Sequence, residues 1–191
     1  MCTFLLNLDV GLIVTISADK VVSEDIGAQE LYEIQQRLLS EYQVPAGELK
    51  MDTVYLTKGT LDVDVAGLSN DEALDDLQKA LADILDVPQE AVTLTVENGV
   101  VNYEIARDTY DDAVSSQNIL SQNNIADLIN AATESVSVSN VSNELDIRAE
   151  VTITVDVDES TLSESDIEAM EATVADFFES YNYENTNISS N

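Results

Sequence analysis

Apolar and polar residues alternate at the start of the chain. In "FLLNLDVGLIVTISA" (residues 4–18) every even position is apolar, which is the period of a strand with one buried face. This pattern is far longer than an ordinary strand of about five or six residues. A second long alternation, "LDIRAEVTITVDVD" (145–158), predicts another extended strand. Shorter strands are predicted at 49–57, at 60–66, on both sides of residues 98–99 and around 136–138.

Apolar side chains at helical spacing predict the helices that separate these strands. The helices cover residues 23–42, a segment after Ser69, a less regular region at 110–132 and a segment after Ser163. Ser69 and Glu72 have the spacing of a capping box, which marks the start of a helix. The polar run "SQNN" (121–124) predicts a break within the third helical region.

Dipeptides that contain glycine predict the tight turns. Asn98-Gly99 gives the strongest short hairpin signal, because both central residues of a type I′ turn need a positive φ. Lys58-Gly59 predicts a turn that separates the strand at 49–57 from the strand at 60–66.

The predicted elements follow the order strand, helix, strand and turn, and this order then repeats. Two such halves make the β-α-β-β-α-β arrangement called ferredoxin-like, in which an antiparallel sheet carries its helices on one face. The chain is therefore predicted to be α+β and to contain tandem ferredoxin-like units. Residues 1–97 are predicted to form the first unit, with an extra N-terminal strand, and residues 98–191 the second.

Internal repeats favour the same organisation. "QVPAGELKMDTV" (43–54) is similar to "DVPQEAVTLTV" (86–96), and each follows a predicted helix and opens a strand. The segments "SEDIGAQE" and "LLSEY" within 23–42 match "SESDIEAME" and "FFESY" within 163–181 in the same order.

The second repeat also predicts a gap. On its alignment Ile188 corresponds to Leu49, where the next strand would start, but the sequence there is the polar "NTNISSN". The second unit is therefore predicted to lack its last strand. Unpaired sheet edges invite pairing with another chain, so this gap suggests assembly.

The long opening strand suggests how copies of the chain could assemble. Residues 3–9, with Phe4, Leu6 and Leu8 as subunit contacts, would fill the vacant edge of a neighbouring copy. Two alternatives stay open: residues 3–17 are a long strand of their own sheet, or the chain is one stretch of a longer repeat protein. All three describe a scaffold, and the predicted partner is a like copy in a homo-oligomer or polymer.

Charge narrows the range of partners. The chain carries 38 acidic residues against 7 basic ones, a formal charge of −31. Such a surface repels nucleic acid and anionic membranes, because phosphates are bound through cationic side chains that are scarce here. No stretch reaches the roughly 18 apolar residues that span a bilayer, so membrane insertion is not expected. We expect no signal peptide either, because the N-terminus has no basic region and Asn7 and Asp9 interrupt its apolar run.

Candidate chemistry is sparse. There is no histidine, the commonest general base and metal ligand, and Cys2 is the only cysteine. No glycine-rich phosphate loop and no nucleophile-elbow serine occur in the sequence. We therefore expect a protein that is not an enzyme and that needs no cofactor.

Two kinds of binding or modification site are predicted. Asp156, Asp158 and Glu159 lie where a strand ends, and their carboxylates suit a weak Ca²⁺ or Mg²⁺ site completed by a neighbouring subunit. The alternative is a solvated acidic face. Asn140 and Asn187 each fit the N-glycosylation sequon, so both are candidate glycan acceptors.

The segment "TLDVDVAGLSNDEALDDLQKALADILDVPQEAVTLTVENGVVNYEI" carries a family resemblance. It resembles the SEA-like, ferredoxin-fold modules that recur in tandem in large cell-surface and secreted proteins. The resemblance covers about 60–142 of the sequence and rests on the pattern of strand, "GLS", helix, "V-P" and strand. The Gly-Ser dipeptide at which true SEA domains cleave themselves is absent from the sequence. The resemblance implies an extracellular structural or adhesive role without an active site.

These observations predict a non-enzymatic structural repeat protein, a subunit or segment of an extracellular or cell-surface filament or similar assembly. Two alternatives stay open. One is a virus coat or minor capsid protein, which could use the same modules and edge pairing. The other is an acidic binding or adhesion module of a halophile or a cell surface.

Overall fold

The structure is a computed structural model. It describes residues 11–42, 49–64, 71–97, 100–133, 136–144, 146–158 and 174–190.

The described residues form an α+β fold. In chain order the elements are β1 (Gly11–Val22), α1 (Ala28–Tyr42), β2 (Leu49–Val63), α2 (Asp71–Leu85), a 3₁₀ turn (Gln89–Ala91), β3 (Val92–Glu97), β4 (Val100–Arg107), α3 (Tyr110–Leu120), α4 (Ile125–Ala132), β5 (Val138–Asn143), β6 (Ile147–Asp158), α5 (residues 174–180) and β7 (Glu184–Ser190). The strands form a seven-stranded sheet in the order β3-β4-β2-β6-β1-β7, with β5 paired to β2. The predicted α+β class is confirmed.

The chain divides into two compact units. Unit 1 holds the described residues within 1–20, 26–53 and 150–191, and unit 2 holds 21–25 and those within 54–149. Strands β2 and β6 each continue from one unit into the other. These two compact units differ from the repeat units predicted at 1–97 and 98–191. The boundary between the predicted repeat units stays a prediction.

Unit 1 contains the strand path β2-β6-β1-β7. Side chains at alternate strand positions meet one face of the helices α1 and α5. The buried core consists of Val14, Ile16, Ala18, Ile34, Leu38, Leu49, Val151, Ile153, Val155, Val174, Phe177, Phe178 and Tyr183. The predicted alternation of both long strands is confirmed at these positions.

Unit 2 contains the strand path β3-β4-β2-β5. Its core lies between these strands and the helices α2, α3 and α4. The buried residues are Leu61, Val63, Ala73, Leu77, Leu81, Ala82, Leu85, Val92, Val101, Tyr103, Ile105, Leu120, Ile125, Ile129, Val136 and Val138. The predicted break at 121–124 is confirmed, because α3 ends at Leu120 and α4 begins at Ile125.

The two predicted glycine turns have opposite outcomes. Glu97 pairs with Val100 across residues 98–99, as the hairpin prediction requires. The turn predicted at Lys58-Gly59 is wrong, because β2 runs unbroken through it and Gly59 pairs with both Tyr103 and Asn143. A β-carbon at position 59 would collide with the Ser142 carbonyl and the Tyr103 ring, so glycine is needed here for close packing inside a sheet.

The prediction that the last strand is missing is also wrong. Residues 184–190 form β7, which pairs antiparallel with β1 from Val14↔Ser190 to Asp19↔Glu184. This polar strand lies at the end of the strand path, where β1 pairs one side of its backbone and no apolar alternation is required. The strand donation hypothesis therefore loses the vacant edge on which it depended. Its proposed donor, residues 3–9, lies outside the described residues.

Candidate contact surfaces of unit 2

The sheet of unit 2 has one face away from its helices, and a row of uncharged polar side chains crosses this face. The register places Thr95 opposite Asn102, Asn102 opposite Thr60, and Thr60 opposite Ser142. Their strand neighbours Val101 and Leu61 are buried on the other face, so these side chains point away from the core. We call Thr95, Asn102, Thr60 and Ser142 the uncharged row.

A second row lies beside the first and contains an ion pair. Thr93 is opposite Glu104, and Glu104 is opposite Lys58. The Lys58 Nζ lies 2.6 Å from the Glu104 Oε2, with 28% and 37% of the two side chains exposed. A shallow cleft of about 310 Å³ between the rows is lined also by Glu97 and Glu144. Exposure keeps the contribution of this pair to stability small, but the pair cancels one negative charge on an acidic protein.

One of the two outermost strands of unit 2 is β3, whose backbone is paired on one side by β4. Because Glu97 and Val100 close the hairpin, alternation turns the N–H and C=O groups of Val92, Leu94 and Val96 away from β4. Within the part of the chain that the structure describes, one of these groups has a hydrogen-bond partner. The Gln78 Nε2 donates to the Val92 carbonyl oxygen at 2.6 Å.

Other side chains hold this amide in place. Gln78 Nε2 also donates to the Gln89 carbonyl oxygen at 3.1 Å, and Gln89 Nε2 donates to the Asp75 Oδ1 at 2.7 Å. The same Gln89 Nε2 lies 3.4 Å from the Gln78 Oε1. We call Gln78, Gln89 and Asp75 the amide clamp, because together they occupy the beginning of the β3 edge.

A groove of about 460 Å³ runs between α2 and β3. Leu74, Val92 and Leu94 give it an apolar floor, and Asp75 and Glu90 give it an acidic rim. The part of the groove that the structure describes contains no lysine or arginine. An extended segment laid beside β3 would meet apolar surface, negative charge and the outward backbone groups of Leu94 and Val96, which no described residue is seen to pair.

Polar contacts in unit 1 attach β7 to the rest of that unit. Tyr183, just before β7, donates its hydroxyl to the Glu30 Oε1 at 2.9 Å. Lys20 Nζ lies 2.5 Å from the same carboxylate oxygen and 4.7 Å from the centre of the Tyr183 ring. Within β7, the Asn185 Nδ2 donates to the Asp19 Oδ1 at 2.8 Å. We call Lys20, Glu30, Tyr183, Asp19 and Asn185 the β7 latch.

A neighbouring pair shows shifted acidity. Glu33 accepts hydrogen bonds from the Gln29 Nε2 at 2.8 Å and from the Tyr181 hydroxyl at 3.0 Å. These bonds lower the pKa of Glu33, with Gln29 the larger cause. The same bond to Glu33 raises the pKa of Tyr181. In unit 2, burial raises the pKa of the Tyr103 hydroxyl, which donates to Asn143 and to the Ser142 carbonyl.

The predicted glycan acceptors both lie on strands with exposed side chains. Asn140 is on β5, where its Nδ2 lies 3.2 Å from the Asp62 Oδ2. Asn187 is on β7 opposite Ser17. Asn140 belongs to unit 2 and Asn187 to unit 1. Their glycosylation stays a prediction.

The other predicted site residues lie outside what the structure describes. Asp156 and Asp158 belong to β6, but their side chains are not described, and Glu159 falls outside the described residues, as do Phe4, Leu6 and Leu8. Among the described residues, no group of three or more His, Cys, Asp and Glu side chains is placed to hold a metal ion. None of the helices described is long and apolar enough to cross a membrane.

Sequence reasoning missed the uncharged row, the amide clamp and the groove. The alternation "TLT" at 93–95 was a usable signal for the row, since it places hydroxyls on the solvent side of a strand. The clamp had no such signal, because Gln78 lies in α2 and its partner Val92 lies in β3. In comparisons with known proteins, no protein-family model matches this chain, and no curated protein does.

Proposed function

We propose that this chain is a non-enzymatic structural module of an extracellular or cell-surface assembly, in which like copies meet through the open sheet face of unit 2. The observation that carries the proposal is the uncharged row. It crosses β3, β4, β2 and β5 in continuous register, on a protein whose formal charge is −31.

Electrostatics explains why this face is the favoured contact. Two copies of an acidic protein repel each other, and the repulsion is strongest where carboxylates face carboxylates. The uncharged row offers hydroxyl and amide groups that hydrogen-bond without that opposition, and the Lys58–Glu104 pair beside it is already neutralised. Salt at about 0.15 M shortens the Debye length to about 8 Å, so association should strengthen as salt rises. The contact is face to face because β7 already occupies the edge that a donated strand was predicted to fill.

We also infer that each unit is ferredoxin-like, with unit 2 inserted into the chain of unit 1. The support is a shared strand order: in each path the first and third strands of the unit are central, and the second and fourth are outermost. Each unit also has the element sequence β-α-β-β-α-β when α3 and α4 are counted as one interrupted helix. This arrangement is compatible with the SEA-like resemblance and with the surface role that the resemblance implies.

Sedimentation velocity of the purified chain across a NaCl series tests the proposed function. We expect association that increases with salt and that Thr60→Glu with Thr95→Glu abolishes, because the double variant puts new charges in the uncharged row. Asn118→Glu, on the exposed side of α3, is the matched control and should associate like the parent chain. A chain that stays monomeric at every salt concentration, or a double variant that associates normally, would overturn the proposal.

Negative-stain microscopy of the associated material separates the structural alternatives. Filaments or sheets support a surface assembly. Closed shells would favour a coat protein instead, and single particles would favour a monomeric binding module. Repeating the series with CaCl₂ at matched ionic strength also tests the weak cation site predicted at Asp156, Asp158 and Glu159, whose loss in Asp156→Asn with Asp158→Asn should remove any calcium-specific increment.

A further inference from the structure

We propose that the β3 edge of unit 2 binds an extended peptide in which apolar residues alternate with Lys or Arg, by adding it as a further strand of the sheet. This site borders the uncharged row at Thr95 but uses the outer edge of β3 and not the sheet face, and it stands whether or not the chain assembles. Its three components are an open backbone edge, an apolar groove and an acidic rim.

The backbone component comes from the register of the β3–β4 hairpin. The outward N–H and C=O groups of Leu94 and Val96 lie on the side of β3 away from β4, as the alternation of an antiparallel pair requires. A strand that adds to an edge gains main-chain hydrogen bonds there, which give affinity without sequence preference. The amide clamp sets where the added strand begins, because Gln78 already occupies the Val92 carbonyl.

The side-chain component comes from the groove beside this edge. An added strand turns every second side chain toward α2, where Leu74 and Leu94 offer apolar contact. The alternate side chains turn toward the open face, near Thr93, Thr95 and the exposed Glu97. Apolar residues therefore suit one set of peptide positions, and polar residues suit the other.

Charge decides which partner fits. Asp75 and Glu90 border the groove, Glu97 ends the strand, and no basic side chain lines the described part of the groove. The Lys or Arg positions turn toward the open face, where Glu97 lies, and Asp75 and Glu90 on the groove side add to the negative potential around them. A basic peptide therefore gains Coulomb attraction, whereas an acidic peptide is repelled. A second copy of this chain is disfavoured as the occupant, because pairing two β3 edges would bring the carboxylates of both copies together.

Isothermal titration with synthetic peptides tests the proposal. The probe is an acetylated, amidated peptide of alternating Val and Lys. One control peptide alternates Val and Glu, and another alternates Ser and Lys with the same charge as the probe. We expect binding of the Val–Lys peptide, at least about tenfold weaker binding of the Ser–Lys peptide, and no binding of the Val–Glu peptide.

Variants of the chain separate strand addition from charge attraction. Val96→Pro removes an outward N–H and should weaken binding by about tenfold, while Val96→Ala keeps this N–H and should bind like the parent. Val96 is 45% exposed, so neither change empties a core site. Asp75→Asn with Glu90→Gln should weaken binding and flatten its dependence on salt.

Amide hydrogen exchange on the unmodified chain gives an independent readout if Val96→Pro does not fold. The Val–Lys peptide should slow exchange at the Leu94 and Val96 amides and leave α3 unchanged. Equal binding of the Ser–Lys and Val–Lys peptides, without protection at Leu94 and Val96, would show adsorption to acidic surface and overturn the proposal. Protection at these amides by a rise in protein concentration alone would overturn it in favour of a second copy.

Discussion

Strand β3 is an outermost strand of unit 2 and β7 is an outermost strand of unit 1, and the two are held by different means. β3 is joined to its neighbour β4 through a tight hairpin, and the pairs run without a shift from Val92↔Ile105 to Glu97↔Val100. β7 pairs with β1 from the other end of the chain, and its register shifts between Ser17 and Asp19. The β7 latch supplies side-chain contacts over a separation of more than 150 residues, as in the bond from Tyr183 to Glu30.

The difference shows two ways to secure an outer strand. A hairpin closes a short loop at small entropic cost, so the register of β3 with β4 is fixed locally. β7 depends on the core of unit 1 and on the latch, because no local connection fixes its register to β1. Variants in the two units should therefore loosen different strands.

The largest effect is expected from Phe178→Ala. Phe178 is fully buried. The centre of its ring lies 5.1 Å from the centre of the Tyr183 ring in an edge-to-face contact, just before β7. Truncation leaves a cavity and should lower the free energy of unfolding by about 3–5 kcal/mol. Chemical denaturation measures this loss, and amide exchange should show faster exchange in β7 than in β3.

Two further variants keep this prediction open to refutation. Phe178→Leu should cost less and give a folded protein if the alanine variant does not fold. Val96→Ala, at an exposed position on β3, should change the free energy of unfolding by less than about 0.5 kcal/mol. Equal acceleration of exchange in β3 and β7 by the Phe178 variants would contradict the proposed difference between the two strands.

Gly59→Ala is the counterpart in unit 2. The added methyl would collide with the Ser142 carbonyl and the Tyr103 ring, and a backbone carbonyl cannot rotate away as a side chain can. We expect a loss of about 3 kcal/mol, at the upper end of the usual cost of overpacking. Thermal unfolding gives the size, and amide exchange should accelerate in β4 and β5 while β7 is spared.

The matched control is Gly27→Ser, where a β-carbon meets no atom within 4 Å. The Gly27 carbonyl accepts from Glu30 and Leu31 at the start of α1, so serine there is a favourable helix cap. Its stability should equal or slightly exceed that of the parent chain. A Gly59→Ala protein as stable as the Gly27→Ser protein would refute the close-packing role of Gly59.

These two glycines also show how far the sequence predicts the fold. Periodicity located α2 and both long strands, because burial on one face imposes it on the residues themselves. A glycine signals either a turn or a close approach, and only the partner strands decide which. Tyr103 and Ser142, which settle the case of Gly59, are distant in sequence.

β7 escaped prediction because its polar residues carry no alternation, and because Asn185, with φ of 50°, adopts a left-handed conformation that sequence pattern does not specify. The contact surfaces of unit 2 depend on register between strands and could be inferred only in part.

A smaller effect is expected from Tyr183→Phe, which removes one hydroxyl from the β7 latch and keeps the ring. The lost bond has a carboxylate acceptor, Glu30, that keeps its contact with Lys20. We expect a loss of about 1–2 kcal/mol in the free energy of unfolding and faster exchange in β7. Tyr32→Phe is the control, since Tyr32 is 55% exposed on α1 and should tolerate the change. A Tyr183→Phe protein indistinguishable from Tyr32→Phe in both measurements would mean that the latch contributes little to holding β7.

The smallest effect concerns the acidity of Glu33, beside the connection that leads into β7. Its hydrogen bonds from Gln29 and Tyr181 favour the ionised form, so its pKa in the folded chain lies below the ordinary glutamate value. A depressed pKa contributes stability above the unfolded pKa, and this contribution is lost as the pH falls through the folded pKa. Carboxyl-detected NMR titration should show the low pKa in the parent chain.

The same titration should distinguish the effects of the two hydrogen-bond partners on the Glu33 pKa. Gln29→Ala should raise the Glu33 pKa more than Tyr181→Phe, because Gln29 is the larger cause of its depression. Gln29 lies within α1, whereas Tyr181 belongs to the segment before β7, so the second variant alone reports on contact between that segment and α1. A Glu33 pKa at its ordinary value that does not respond to Tyr181→Phe would show that this segment is not held against α1 in solution. The long-range attachment of β7 would then rest on the core and on Tyr183 alone.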